Sequence, residues 1–182
     1  MKSLRILLLP FSWLYGMVVL LRNFLFDIGL LKSRTVNLPV ICIGNLNTGG
    51  TGKTPHTEYL LSVLSNFKTA VVSRGYGRNT KGIAEVQINS EAKETGDEPL
   101  QIKRKFQSVP FIVSEKRSEG IDYLLEHYPQ TEVVLLDDAF QHRSVKAGLN
   151  LLLTQFNDLF INDYLLPAGN LRELCVRSDH SV

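Results

Sequence analysis

The sequence NTGGTGKT at residues 47–54 decides how the rest of the chain is interpreted. It meets the phosphate-loop pattern G-x-x-x-x-G-K-[ST] at residues 52–54, although Asn47 stands where the first glycine belongs. Asparagine tolerates left-handed backbone better than most residues, so we interpret this departure as mild. An apolar run at 38–43 precedes the loop and a helical pattern at 53–67 follows it, which is the context that a nucleotide site requires.

Each residue type in this loop suits the binding of a phosphate chain. Gly49, Gly50 and Gly52 allow backbone N–H groups to turn inward around phosphate oxygens, and the following helix directs its positive end toward the anion. Lys53 would reach the β- and γ-phosphates, and the Thr54 hydroxyl would hold Mg²⁺. We therefore predict an ATP and Mg²⁺ site formed by Asn47, Thr48, Gly49, Gly50, Thr51, Gly52, Lys53 and Thr54.

Beyond the loop, short apolar runs alternate with helical patterns. The predicted strands are 38–43, 69–73, 109–113, 133–136 and 150–154, with a weak strand at 84–88, and the predicted helices are 53–67, 100–106 and 115–128. Such alternation is typical of a parallel sheet that is covered on both faces. The predicted fold class is α/β: a P-loop NTPase-like, mostly parallel sheet with helices on both faces, preceded by an N-terminal membrane-associated helix.

Two carboxylates, Asp137 and Asp138, come directly after the apolar strand 133–136. A strand of this kind delivers an acid to the edge of the sheet where the phosphate loop also lies. We interpret the pair as a Walker B carboxylate, with Asp137 or Asp138 binding Mg²⁺ directly or through water.

The N-terminal segment is apolar and flanked by basic residues. No residue from Ile6 to Leu21 is charged, and these 16 residues span roughly 24 Å as a helix, which is short for a membrane crossing. A cleaved signal peptide, a buried core helix and a helix in the inner face of a membrane compete as interpretations. The basic flanks Lys2, Arg5, Arg22, Lys32 and Arg34 favour the membrane interpretation, because an anionic cytoplasmic leaflet attracts them. We predict a membrane-associating segment at 1–34 and a kinase domain at 35–182.

The composition narrows the function classes. With 20 Lys+Arg against 18 Asp+Glu the net charge is +2, so nothing favours a nucleic-acid partner, and no protein partner is implied. Cys42 and Cys175 are too few for a disulfide framework, and Cys42 is predicted to be a buried thiol. No Asn-Lys-x-Asp base reader of GTPases is present, and Thr48 stands where membrane-cycling ATPases carry their signature lysine. These absences favour a kinase of a small or lipid acceptor.

Five ordered motifs carry a family resemblance over nearly the whole chain. They are GNL with TGGTGKTP at 44–55, RGYGR at 74–78, GDEP at 96–99, DDAFQHR at 137–143 and LLPAG with LRE at 165–173. On these motifs the chain resembles the tetraacyldisaccharide 4′-kinases of lipid A biosynthesis. The resemblance implies transfer of the γ-phosphate of ATP to the 4′-hydroxyl of an acylated glucosamine disaccharide 1-phosphate, which gives lipid IVA at the cytoplasmic face of the inner membrane.

The resemblance also implies roles for individual residues. Asp97 resembles the catalytic base that accepts the hydroxyl proton, with Lys53 and Asp138 as the other catalytic residues. Glu98 is expected to support this site. The predicted acceptor- or phosphate-binding residues are Arg74, Tyr76, Arg78, Glu98, Gln141, His142, Arg143 and Arg172. Arginine is a good candidate here because its planar fork matches phosphate oxygens.

Departures from the family pattern are Asn47, Thr48, Ala139 and Leu174. Ala139 replaces a glycine, and a glycine at that place can have a positive φ that alanine would resist. The family normally continues into a second lobe, and residues 177–182 resemble the approach to a further strand. We therefore expect an N-terminal portion of a longer protein. A membrane-associated ATP-binding fragment without phosphotransfer activity remains the alternative.

Overall fold

The structure, a computed structural model, describes residues 5–157 and 159–174. Lys2, Cys175 and the strand predicted after residue 177 lie outside the described residues.

Six strands form one sheet. They are β1 (Val40–Asn45), β2 (Thr69–Ser73), β3 (Ala84–Glu85), β4 (Phe111–Val113), β5 (Val133–Asp137) and β6 (Leu149–Leu153). Their order in the sheet is β3-β4-β2-β5-β1-β6. Every neighbouring pair is parallel except β3 and β4. The predicted mostly parallel sheet is confirmed.

Five α-helices accompany the sheet in the described residues. They are α1 (Leu9–Asp27), α2 (Lys53–Val63), α3 (Ala92–Thr95), α4 (Asp97–Lys105) and α5 (Arg117–His127), with 3₁₀ turns at Ile6–Leu8 and Phe160–Asn162. The loop between β1 and α2 contains the phosphate-loop sequence, as predicted.

Alternate residues of each strand pack on opposite faces of the sheet, as the two-residue repeat of a strand requires. In β2, Ala70 and Val72 join a core with Leu124 of α5, whereas Val71 joins a second core with Leu61 of α2. Helices therefore cover both faces, and each fully buried valine or leucine contributes about 1.5–3 kcal/mol to folding. Cys42 is buried in the α5 face, as predicted.

Helix α1 lies against the segment 165–173 near the end of the described chain, which we call the docking segment. The buried residues of α1 are Ser12, Gly16, Val19 and Asn23. A side chain at Gly16 would lie 2.9 Å from Leu165 Cδ1, so glycine allows the close approach. The remaining faces are apolar and exposed, including Phe11, Trp13, Leu14, Met17, Val18, Leu20, Leu21 and Phe24.

The helical segment is longer than the uncharged run suggested. Ile6–Asp27 comprises 22 residues and is long and apolar enough to cross a membrane. The expected shortness was wrong because the helix continues through Arg22, which faces the docking segment. Pro10 lies at the helix start, where its missing N–H breaks no helical hydrogen bond. Only 22% of the most apolar stretch of this helix is buried, which disfavours the core-helix interpretation.

Candidate functional site

The phosphate loop leads directly into α2 at the carboxyl edge of the sheet. Gly52 is the N-cap, with a left-handed φ of 82°, and Lys53 is the first helical residue. The first-turn N–H groups of a helix have no partner within the helix, so they are available to an anion. Asn47 has no positive φ; it forms instead an antiparallel bridge with Leu171. Its tolerance for left-handed backbone is therefore not used here.

Four charged and polar side chains converge at this loop. Lys53 Nζ donates to Asn45 Oδ1 at 3.2 Å and lies 3.6 Å from Asp138 Oδ1. Arg172 Nη2 donates to the same two atoms, at 2.5 Å and 3.3 Å. Two cations therefore flank the Asp138 carboxylate beside the loop.

Asp137 occupies a different environment from Asp138. Its side chain is buried, and its two carboxylate oxygens accept hydrogen bonds from Thr57 Oγ1 at 3.2 Å and Ser73 Oγ at 3.4 Å. The pKa of Asp137 is raised to about 6, mainly by burial and also by the charges of Asp138 and Glu98, while Thr57 and Lys53 oppose the shift. A carboxylate crowded by two other acids in this way favours a nearby cation.

The backbone of Asp138 is left-handed, with a φ of 47°. Ala139 itself has no positive φ, because the sharp turn falls one residue earlier, so the alanine that replaces the family's glycine is not strained in this way. Arg117 fixes this turn from below: its Nη2 donates to the main-chain oxygens of Asp137 at 3.3 Å and Asp138 at 3.1 Å. Burial lowers the pKa of Arg117 to about 10, although both carboxylates oppose the shift.

The RGYGR and GDEP motifs pack against each other through their glycines. A side chain at Gly96, where φ is 96°, would lie 2.9 Å from the main-chain oxygen of Tyr76. Gly75 has a φ of 69°, and a side chain there would lie 2.8 Å from the main-chain oxygen of Thr95. Asp97 follows as the first residue of α4 and is exposed. It lies at the carboxyl edge of the sheet beside Tyr76, which is 84% exposed.

Besides Arg172, which pairs with Asp138, two more of the predicted acceptor-binding arginines form ion pairs within the protein. Arg78 Nη2 contacts Glu115 Oε1 at 2.7 Å, and Arg143 Nη2 contacts Asp27 Oδ1 of α1 at 2.6 Å. Arg143 also lies over the ring of Phe26, 5.3 Å from its centroid. These contacts give both side chains a structural role, and their contact with substrate stays a prediction.

The other predicted residues lie nearer the site. Arg74 is exposed at the end of β2, and Gln141 Nε2 donates to the main-chain oxygen of Asn45 at 2.8 Å. The pKa of His142 is lowered to about 4, mainly by burial and also by the cations Arg117 and Arg74. His142 is therefore neutral near pH 7.

Sequence reasoning missed Asn45 and Arg117 as site residues. Asn45 offered a signal, because it is a polar residue at the end of an otherwise apolar strand. Arg117 offered none, because an arginine in the first turn of an amphipathic helix resembles a solvated surface residue.

Comparison with known proteins points to one family. The sequence model of the Tetraacyldisaccharide-1-P 4'-kinase family matches residues 4–181. A tetraacyldisaccharide 4'-kinase of Bacteroides fragilis is 57% identical over 168 residues, which cover 91% of this chain and 45% of that protein. The corresponding protein of Flavobacterium psychrophilum is 52% identical over 174 residues, covering 95% and 51%.

A solved structure is also similar. LpxK from Aquifex aeolicus, crystallised in complex with ATP, superposes with a TM-score of 0.86 at 42% identity, covering 94% of this chain and 55% of that one. The chain spans about half the length of the curated relatives it matches. Because the family model matches nearly the whole chain, the chain belongs to the Tetraacyldisaccharide-1-P 4'-kinase family.

Proposed function

We propose that this chain is the nucleotide-binding part of a kinase that transfers the γ-phosphate of ATP to the 4′-hydroxyl of tetraacyldisaccharide 1-phosphate, forming lipid IVA. The observation that carries the proposal is the convergence of Lys53, Arg172 and Asp138 beside the phosphate loop. The names of the relatives support the lipid acceptor, since they are called tetraacyldisaccharide 4'-kinases.

ATP is the proposed nucleotide. The similar LpxK structure is in complex with ATP, which supports the same ligand here. Within the described residues, Asn47 Oδ1 and Thr51 Oγ1 are buried in the loop without a hydrogen-bond partner. Bound phosphate oxygens accept hydrogen bonds, so the Thr51 hydroxyl has a partner once the nucleotide is present. Lys53 and Arg172 would neutralise the phosphate chain.

Mg²⁺ is the proposed metal. No group of three or more His, Cys, Asp or Glu residues suited to a metal occurs in the described part of the chain. This fits a magnesium ion, which proteins usually hold through one or two carboxylates together with substrate phosphates. Asp137, Asp138 and the Thr54 hydroxyl would hold it, and the ion would neutralise charge on the transferred phosphoryl group.

The acceptor is proposed to approach from the side of Asp97. The 4′-oxygen forms a bond to the γ-phosphorus, the bond to the β–γ bridging oxygen breaks, and ADP leaves. The hydroxyl proton passes to the carboxylate of Asp97. Exposure of Asp97 and Tyr76 at the carboxyl edge supports this direction of approach. Glu98 supports it as well, because its charge is close enough to Asp137 to raise the pKa of that carboxyl. Arg74, Gln141 and His142 lie at the same edge and are proposed to contact the acceptor.

The membrane is the proposed location of the reaction. A lipid acceptor stays in the bilayer, so the enzyme must reach its surface. The apolar exposed faces of α1 support the division into a membrane-associating segment 1–34 and a kinase domain 35–182. Basic flanks such as Arg5 favour the anionic cytoplasmic leaflet of the inner membrane.

The test is ATP-dependent phosphorylation of tetraacyldisaccharide 1-phosphate in detergent micelles, compared among the unaltered chain, Lys53→Ala and Asp97→Ala. Glu126→Ala removes an exposed carboxylate of α5 and is the matched control. Turnover that is lost in both site variants and kept in the control supports the kinase. Lys53-dependent ATP binding without turnover supports the alternative, an ATP-binding fragment without phosphotransfer activity.

A further inference from the structure

Glu173 is a buried carboxylate that is paired with two residues of α1. Its side chain is fully buried. Asn23 Nδ2 donates to Oε1 at 2.7 Å, and the Arg22 guanidinium pairs with Oε2. These partners are 150 and 151 residues away in the sequence. A buried charge is tolerated only when it is paired, so the docked helix is what keeps Glu173 in place.

The residue before it, Arg172, makes its side-chain contacts at the nucleotide site. Its guanidinium reaches Asn45 and Asp138, and its main-chain N–H donates to the oxygen of Leu46 at 2.7 Å. Helix α1 also holds the main chain of Arg172 directly, because Tyr15 Oη donates to its carbonyl oxygen at 2.9 Å. Two adjacent residues thus connect α1 with the groups that flank the phosphate loop.

The rest of the docking segment repeats this arrangement. On one side Ser12 Oγ donates to the oxygen of Leu165 at 2.9 Å, and Arg5 donates to the oxygen of Gly169 at 2.8 Å. On the other side the N–H of Thr48, in the phosphate loop, donates to the oxygen of Asn170 at 2.7 Å. The segment therefore lies between α1 and the loop and is bonded to both.

We propose that Glu173 is a positioning residue for nucleotide binding: through its bonds to Arg22 and Asn23 it holds Arg172 against Asp138 and Asn45. The inference deepens the proposed function and rests on it. A docked α1 is then part of the nucleotide site as well as the apolar face of the molecule.

The test measures the dissociation constant of Mg·ATP for the full chain by titration calorimetry. Glu173→Gln keeps the size of the side chain and removes its charge. We expect Glu173→Gln and Arg172→Ala each to weaken binding about tenfold, and the double variant to bind no more weakly than Arg172→Ala alone. Asn23→Ala, which leaves the Glu173–Arg22 pair in place, serves as a milder second variant and should weaken binding in the same non-additive way.

Asp27→Asn is the matched control, since it removes a different ion pair between α1 and the domain. It should leave the dissociation constant unchanged. Unchanged affinity in both Glu173→Gln and Asn23→Ala, or losses that multiply with that of Arg172→Ala, would overturn the positioning role. Absence of Lys53-dependent binding in the unaltered chain would instead refute the proposed function, and this inference with it.

Discussion

The guanidinium of Arg117 lies beneath the backbone of Asp138 and donates a hydrogen bond to its main-chain oxygen at 3.1 Å. Among the residues that the structure describes, Asp138 is the non-glycine residue with a positive φ. A buried cation therefore supports the strained turn that faces the phosphate loop. Left-handed backbone costs an ordinary residue about 1–2 kcal/mol, which is of the same order as the hydrogen bonds that Arg117 supplies.

Replacing this cation tests its structural role. Arg117→Leu removes the donors to Ser114, Asp137 and Asp138 and leaves buried carbonyl oxygens unpaired. We expect the free energy of unfolding to fall by about 3 kcal/mol, measured by urea denaturation. Lys116→Leu changes the neighbouring exposed cation and should leave the denaturation midpoint unchanged. A similar small effect for both variants would contradict the role of Arg117.

The glycine contact between the RGYGR and GDEP motifs gives a second prediction. Gly96→Ala adds both backbone strain and a close approach to Tyr76 and Gly75, and should cost about 3 kcal/mol. Gly82→Ala has a similar positive φ of 79° with no atom within 4 Å, and should cost about 1 kcal/mol. The difference between the two, read from urea unfolding curves, reports the close packing together with the strain of the extended ψ of 152° at Gly96. Equal costs would mean that the motifs separate easily.

The neutral state of His142 predicts a pH dependence of stability. Its pKa in the folded chain is about 4, below the ordinary value of 6.5, so the unfolded chain binds the proton more readily between these values. The contribution of His142 is therefore complete above pH 6.5 and is lost as the pH falls toward 4. Melting temperatures of His142→Gln should vary less between pH 7.5 and pH 5 than those of the unaltered chain.

Asp137 acts with the opposite sign in part of this range. The pKa of Asp137 in the folded chain is raised to about 6, so the folded chain holds this proton more readily than the unfolded chain does. The stabilising contribution of Asp137 is therefore present below about pH 4 and is lost as the pH rises to about 6. The unaltered chain and His142→Gln both retain Asp137, so the difference between their melting temperatures reports the contribution of His142. Parallel pH profiles would show that His142 takes up its proton without destabilising the fold.

The exposed face of α1 predicts lipid binding separate from stability. Phe11 and Trp13 are 61% and 74% exposed. Replacing both by serine should lower partition into anionic phospholipid vesicles about a hundredfold and leave the melting temperature unchanged. Tyr59→Ser removes an exposed aromatic ring from α2 and is the control. Equal partition of all three proteins would refute membrane binding by this face.

Local sequence patterns were sufficient for the sheet and the phosphate loop. β2 was predicted at its observed residues, and α2 begins at Lys53 as expected. These elements depend on apolar spacing and on glycines within a few positions of one another. The short α3 was not among the predicted helices, because its capping box of Glu91 and Glu94 lies in a polar stretch without apolar periodicity.

Long-range pairing was beyond such patterns. Arg78 and Arg143 carried the chemistry expected of phosphate ligands, yet their ion-pair partners lie 37 and 116 residues away. Nothing in the residues around an arginine distinguishes one that binds a substrate from one that pairs within the fold. The contacts of α1 with the docking segment were unpredictable for the same reason.

Those contacts also have a consequence for synthesis. Helix α1 leaves the ribosome before the docking segment, and Glu173 follows Asn23 by 150 residues. At ordinary translation rates that interval lasts roughly ten to thirty seconds. During this interval the apolar helix lacks the docking segment, whose groups bond to its buried residues Ser12 and Asn23. Contact with a bilayer or a chaperone during elongation would protect the nascent chain from aggregation until the docking segment emerges.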